Sequence, residues 1–132
     1  MAALANTDES LFCGGTLIAS QWLLTAAHCL FKDPSQTIPN TASEIRIVLG
    51  EHDTESTTES IIARIIIKVA KIIKHPNYNT ITSDSDIALI KLSEAVDLNI
   101  YPPACLANHG DDFTGKKALV YGTLCERSYD PF

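Results

Sequence analysis

Thr16-Leu17-Ile18-Ala19-Ser20-Gln21-Trp22-Leu23-Leu24-Thr25-Ala26-Ala27-His28 is the stretch whose reading decides the fold. From Thr16 to Leu24 it is largely apolar and ends in a Trp-Leu-Leu cluster, as a strand does. Thr25-Ala26-Ala27-His28 then reads as one short helical turn, two alanines following a threonine that can cap it. Outward from here the pattern stays β. Ile45-Arg46-Ile47-Val48-Leu49 begins by alternating and then fills in. Ile61 to Ile73 is rich in isoleucine and suits one long strand, or two with a bend. Ile87-Ala88-Leu89-Ile90-Lys91-Leu92 reads as a strand buried on both faces, and Ala118-Leu119-Val120-Tyr121 as a further short strand. Turn signals separate these runs at Asp33-Pro34, Ile38-Pro39-Asn40 and His75-Pro76-Asn77-Tyr78-Asn79. Short strands with turns between them predict an all-β antiparallel sandwich or barrel.

The chain has 132 residues, 45% hydrophobic and 20% charged, which fits one domain with a core. A formal net charge of -6 argues against nucleic acid, since no basic stripe is available to replace phosphate counterions. No membrane span is expected. The run Ile61–Ile73 is broken by Arg64, Lys68 and Lys71 and falls short of the roughly 20 apolar residues a crossing helix needs. Residues Met1 to Glu9 lack the basic start and apolar length of a signal peptide. Four cysteines, at 13, 29, 105 and 125, suit an oxidising compartment, and three pairings are open. No Cys-x-x-Cys pair is present, so zinc-ribbon and thioredoxin-like readings lose their main support.

Three stretches carry chemistry: Cys13-Gly14-Gly15-Thr16-Leu17-Ile18 with Trp22-Leu23-Leu24-Thr25-Ala26-Ala27-His28-Cys29, then Asp86-Ile87-Ala88-Leu89-Ile90-Lys91-Leu92, then Pro103-Ala104-Cys105-Leu106. In this order they resemble the first half of the trypsin/chymotrypsin family of serine endopeptidases. Gly50-Glu51-His52-Asp53 and His75-Pro76-Asn77-Tyr78-Asn79 look most like secreted arthropod members. The resemblance implies a six-stranded Greek-key antiparallel barrel, closed or incomplete, over residues 1–122, with a divergent or truncated tail at 123–132. It makes His28 the general base, Asp86 its orienting acid, and Cys13–Cys29 the disulfide beside the histidine. The chemistry agrees: a serine hydroxyl needs a neighbouring base, an imidazole titrates near neutrality, and a carboxylate fixes its tautomer. Asp84 competes with Asp86, but Asp86 directly precedes Ile-Ala-Leu. His52, His75 and His109 lack ligand-like spacing and read as surface residues. No cofactor is implied. Relatives with a Gly-Glu-His loop sometimes bind calcium, which makes Glu51 and Glu59 the candidate ligands, although a solvated acidic loop from Glu51 to Ser60 accounts for them without a metal.

The pattern also departs from the family. The nucleophile of the family sits in Gly-Asp-Ser-Gly-Gly, and none of the glycines here, at 14, 15, 50, 110, 115 and 122, flanks a serine. The same motif supplies the backbone donors of the oxyanion hole. The activating terminus Ile/Val-Val-Gly-Gly is absent, and Met1 falls where the chain should already be inside the first strand. Cys105 and Cys125 either pair with each other or leave one or both thiols free. The resemblance therefore implies an extracellular parent that hydrolyses protein or peptide substrates, while these 132 residues alone are expected to be inactive. The alternative is a non-catalytic serine protease homologue acting as a protein-binding module. A first barrel by itself is also expected to expose an apolar face that a protein partner would cover.

Overall fold

The computed structural model describes residues 1–33, 35–50 and 63–117. Six strands, β1 (Ala2–Ala5), β2 (Leu11–Ala19), β3 (Trp22–Thr25), β4 (Arg46–Leu49), β5 (Ile65–Lys74) and β6 (Ala88–Leu92), form a closed antiparallel barrel in the order β1-β2-β3-β6-β5-β4. The run β4-β1-β2-β3 is a Greek key, in which a long connection brings a fourth strand back beside the first. The all-β barrel expectation is met. Closure removes the exposed sheet edges that would otherwise invite pairing with other chains.

Two details differ from the sequence reading, and one agrees with it. The apolar run Thr16–Leu24 is two strands: Ser20 and Gln21 turn the chain, and β2 pairs back on β3 with Thr16 opposite Leu24. Closure is therefore complete by Leu92, without Ala118–Tyr121, which lie outside the described residues. Within the long isoleucine run, Ile65–Lys74 is one strand whose register slips between Val69 and Lys71, which is the first of the two expected forms; Ile61 and Ile62 lie outside the described residues. On β6, Ala88, Ile90 and Leu92 are buried while Leu89 and Lys91 are half-buried. A closed barrel has one interior, so alternate side chains leave it. Near-complete burial on both faces belongs instead to β1 and β4, where Ala3, Ala5 and Val48 form a second small cluster.

The interior is filled by Leu4, Leu23, Ile45, Ile47, Leu49, Ile90 and Leu92, all fully buried. Side chains of this kind each contribute about 1.5–3 kcal/mol by leaving water. Gly15 on β2 is required by close approach: a Cβ there would lie 2.6 Å from Leu23 Cδ2 and 3.2 Å from the Leu24 carbonyl oxygen. After β6 the chain laces back over the barrel. Val96 N–H donates to Ser20 O (2.9 Å), Ala104 N–H to Leu17 O (2.8 Å) and the Tyr101 hydroxyl to Ala63 O (2.7 Å). Among the described residues, Ile81, Leu106 and Phe113 are exposed apolar side chains. No helix of the described residues is long and apolar enough to cross a membrane.

Candidate active site

The site lies where β3 ends and β6 begins. These strands pair antiparallel with Thr25 opposite Ala88. A residue shortly after Thr25 and one shortly before Ala88 must therefore meet at the same rim of the barrel. His28 and Asp86 are those residues.

A 3₁₀ turn over Ala27–Leu30 carries His28. Ala27, Cys29 and Leu30 face the core, which leaves His28 as the outward side chain of the turn. The expected threonine cap is not formed. Thr25 is the last residue of β3, the N-cap position is Ala26 without a side-chain cap, and the buried Thr25 hydroxyl donates to Gly14 O at 2.8 Å. Its hydrogen bond spans two strands and fixes β3 against β2 just before the turn. The Cys13–Cys29 disulfide, with Cα atoms 6.0 Å apart, ties the turn to β2 on its other side.

Asp86 approaches from a tight loop. Ser83 and Ser85 both adopt positive φ, 58° and 57°, a conformation uncommon for residues with a Cβ. Asp84, the competing carboxylate, stays in this loop and accepts a 2.6 Å hydrogen bond from the Thr82 hydroxyl. Asp86 crosses to the histidine. Its Oδ1 accepts the His28 backbone N–H at 2.8 Å, and its Oδ2 lies 2.7 Å from His28 Nδ1. An ionised carboxylate only accepts, so Nδ1 carries the hydrogen and Nε2 is left with its lone pair. Partial burial pushes the Asp86 carboxyl upward, but the His28 side chain, the His28 backbone N–H, the His28 charge and the Ala27 N–H together hold it below its ordinary value. It is the charged, accepting form that orients the ring.

Tyr78 also belongs to this region. Burial and the negative charge of Asp86 raise its phenol, and its hydroxyl donates to Gln36 Oε1. Its ring lies 6.2 Å from that of Phe31, and the Lys74 ammonium sits 4.9 Å from the Phe31 centroid. Sequence reading took Tyr78 as part of a turn and of a family-like stretch, without a role at the site. An aromatic inside His75-Pro76-Asn77-Tyr78-Asn79 was the available signal. His75 is half-buried, its Nδ1 accepting from Asn77 N–H at 3.2 Å, and His109 is exposed.

Among the described residues, one His/Cys/Asp/Glu group brings three donor atoms within 4.8 Å of one another: Cys13, His28 and Cys29. In the oxidised form both sulfurs are spent on each other. Cys105 is an exposed free thiol. Glu51, Glu59, His52 and Cys125 lie outside the described residues.

The fold and this rim define a class: a closed Greek-key barrel that holds an imidazole oriented by a carboxylate. The trypsin family model matches residues 1–126. The chain is 39% identical over 111 residues to cationic trypsin-3 of Rattus norvegicus, covering 84% of this chain and 39% of that protein. It is 44% identical over 90 residues to trypsin of Sus scrofa, covering 68% and 33%. Venom serine protease 34 of Apis mellifera is 35% identical over 130 residues, covering 92% and 30%. The chain belongs to the trypsin family. It spans well under half the length of these relatives.

Proposed function

We propose that the chain supplies the acid–base share of a serine endopeptidase site, with His28 as general base and Asp86 as its orienting carboxylate. The observation that carries this is the double grip of Asp86 on His28, through the backbone N–H and Nδ1 at once. That grip leaves the Nε2 lone pair free to take a hydroxyl proton and return it to a leaving amine. The reaction is peptide-bond hydrolysis through an acyl-enzyme on protein or peptide substrates, and hydroxyl, imidazole and carboxylate perform it without a cofactor. The nucleophile and oxyanion donors come from outside these residues, because no serine here is flanked by glycine. Residues 1–122 are the unit that acts, and 123–132 a divergent or truncated tail. The disulfide supports an extracellular setting.

A fluorophosphonate probe tests both halves of this reading. The isolated chain is expected to stay unlabelled. Fused to the downstream portion of a trypsin relative that carries Gly-Asp-Ser-Gly-Gly, it is expected to label, and His28→Ala in the fusion to abolish labelling. Stoichiometric labelling of the isolated chain overturns the inactivity. Undiminished labelling of the His28→Ala fusion overturns the base. The second reading, a non-catalytic module whose exposed Leu106 and Phe113 meet a protein partner, is favoured if the folded fusion never labels and one specific partner binds the chain.

A further inference from the structure

The acid–base reading leaves the sulfurs beside His28 without a chemical role. Cys29 Sγ lies 3.6 Å from His28 Nε2, and Cys13 Sγ completes a trio of donor atoms within 4.8 Å. In a tetrahedral zinc site, bonds of about 2.3 Å to sulfur and 2.0 Å to nitrogen place neighbouring donors about 3.5 to 3.8 Å apart. The distance from the Cys29 sulfur to Nε2 already meets that spacing. The two sulfurs are closer than that because they are bonded to each other, so reduction must let them part.

We infer that reduction of the Cys13–Cys29 bridge converts this rim into a Cys₂His site for a thiophilic divalent metal ion such as Zn²⁺. The reductant is a phosphine or a thiol. With a phosphine, phosphorus attacks the more accessible Cys13 sulfur, the sulfur–sulfur bond breaks, and Cys29 leaves as thiolate. Water then supplies the oxygen of the phosphine oxide and the protons, giving two thiols. Metal binding displaces both thiol protons to solvent. Two thiolates, one neutral imidazole and one divalent ion sum to zero charge, which suits a half-buried rim. The fourth position stays open to water.

Two features preorganise the site apart from the sulfurs. Asp86 holds the Nδ1 hydrogen, so Nε2 is the ligating nitrogen, in the carboxylate–histidine–metal arrangement that orients many ligand rings. The positions of Cys13 and Cys29 do not depend on the bridge alone. Thr25 Oγ1 donates to Gly14 O at 2.8 Å, one residue from Cys13, and β3 is paired on both sides. Metal on Nε2 occupies the atom that the proposed function uses as base, so the metal-bound and catalytic states exclude each other. That consequence rests on the proposed function; the site itself does not, and it is read without any activity assay.

The test is a Co²⁺ titration of the full chain, oxidised and phosphine-reduced, followed by thiolate-to-cobalt charge-transfer absorption and circular dichroism. Cys105→Ser with Cys125→Ser removes the other thiols. One equivalent is expected to bind the reduced chain and none the oxidised chain. Asp86→Asn is expected to weaken binding by about 10- to 100-fold, as loss of an outer partner does. His28→Ala is expected to weaken it at least as much. If reduction unfolds the chain, refolding around one equivalent of metal supports the site and failure to refold overturns it. The inference also falls if no charge-transfer band appears, if the oxidised chain binds equally, or if His28→Ala binds as tightly as the parent.

Discussion

Two carboxylates in this barrel grip their partners in the same way and do different work. Asp86 uses Oδ1 for the His28 backbone N–H and Oδ2 for the His28 side chain. Glu44 uses Oε2 for the Thr41 backbone N–H (2.9 Å) and Oε1 for the Lys32 ammonium. Thr41 and Glu44 form a capping box on the 3₁₀ turn Ala42–Glu44, and Thr41 Oγ1 donates to Glu44 at 2.7 Å. Both carboxyls are held below their ordinary values. The electrostatics therefore do not separate a site from a cap. The partner does: an ammonium keeps its proton across the neutral range, whereas an imidazole exchanges it there.

Breaking each grip in the nucleophile-bearing fusion gives the largest expected contrast. Asp86→Asn presents an amide where Nδ1 needs an acceptor and favours the wrong ring tautomer. The expected fall in kcat is about 10⁴-fold, the loss that this exchange causes in the serine-protease triad from which the magnitude is taken. Glu44→Gln is expected to leave kcat and KM unchanged. A kcat for Asp86→Asn within a few-fold of the parent would remove the distinction drawn between the two carboxylates.

Stability separates the regions next. The histidine turn is clamped by a disulfide with a sequence separation of 16, while the Glu44 turn is held by hydrogen bonds and an exposed ion pair. A closed loop of this length is worth about 3 kcal/mol. Cys13→Ala with Cys29→Ala is expected to lower unfolding free energy by that amount in urea, with the midpoint lowered and the slope raised, because the unlinked unfolded chain exposes more surface. Lys32→Met is expected to have an effect near zero, as exposed ion pairs generally do. Gly15→Ala falls between them, at about 1–3 kcal/mol, because its methyl group would press into the fully buried Leu23. An alanine at 15 tolerated without loss would show that Leu23 can yield.

The sequence carried much of this, unevenly. Strand character was legible in Ile45–Leu49, Ile61–Ile73 and Ile87–Leu92 because isoleucine and valine suit a pleated surface better than a helix. The division of Thr16–Leu24 was hidden. Ser20-Gln21 holds neither glycine nor proline, and the apolar pattern runs through it. Pairing between β3 and β6 was beyond any local signal, yet that pairing brings His28 to Asp86 across 58 residues. Motif likeness named both residues, but it could not give the register that makes them meet. Thr25 was misread as a cap because threonine before two alanines also fits that role; its hydroxyl instead bridges to Gly14. The cap that does form was spelled out as Thr41-Ala42-Ser43-Glu44, the Thr-x-x-Glu signature, and passed unread.

Acid titration gives the finest test of the comparison. Each carboxyl has a folded-state value below its unfolded one, so above the folded value the unfolded chain binds more protons. The stability this contributes is therefore present above the ordinary carboxylate value and lost as pH falls through the depressed one. For Glu44, held down to about 2 by the Lys32 side chain, the Thr41 N–H and the Thr41 hydroxyl, the window runs from 4.5 down to about 2. For Asp86 it lies below 3.8. Thermal midpoints measured against pH should fall less steeply across these windows in Glu44→Gln and in Asp86→Asn than in the parent. The double variant should be flatter still but not level, because hydrogen bonds also depress Asp8, Asp33 and Asp112. A Glu44→Gln profile parallel to the parent's would mean that its grip is absent in solution. The two carboxylates would then differ in occupancy of the contact as well as in the chemistry of the partner.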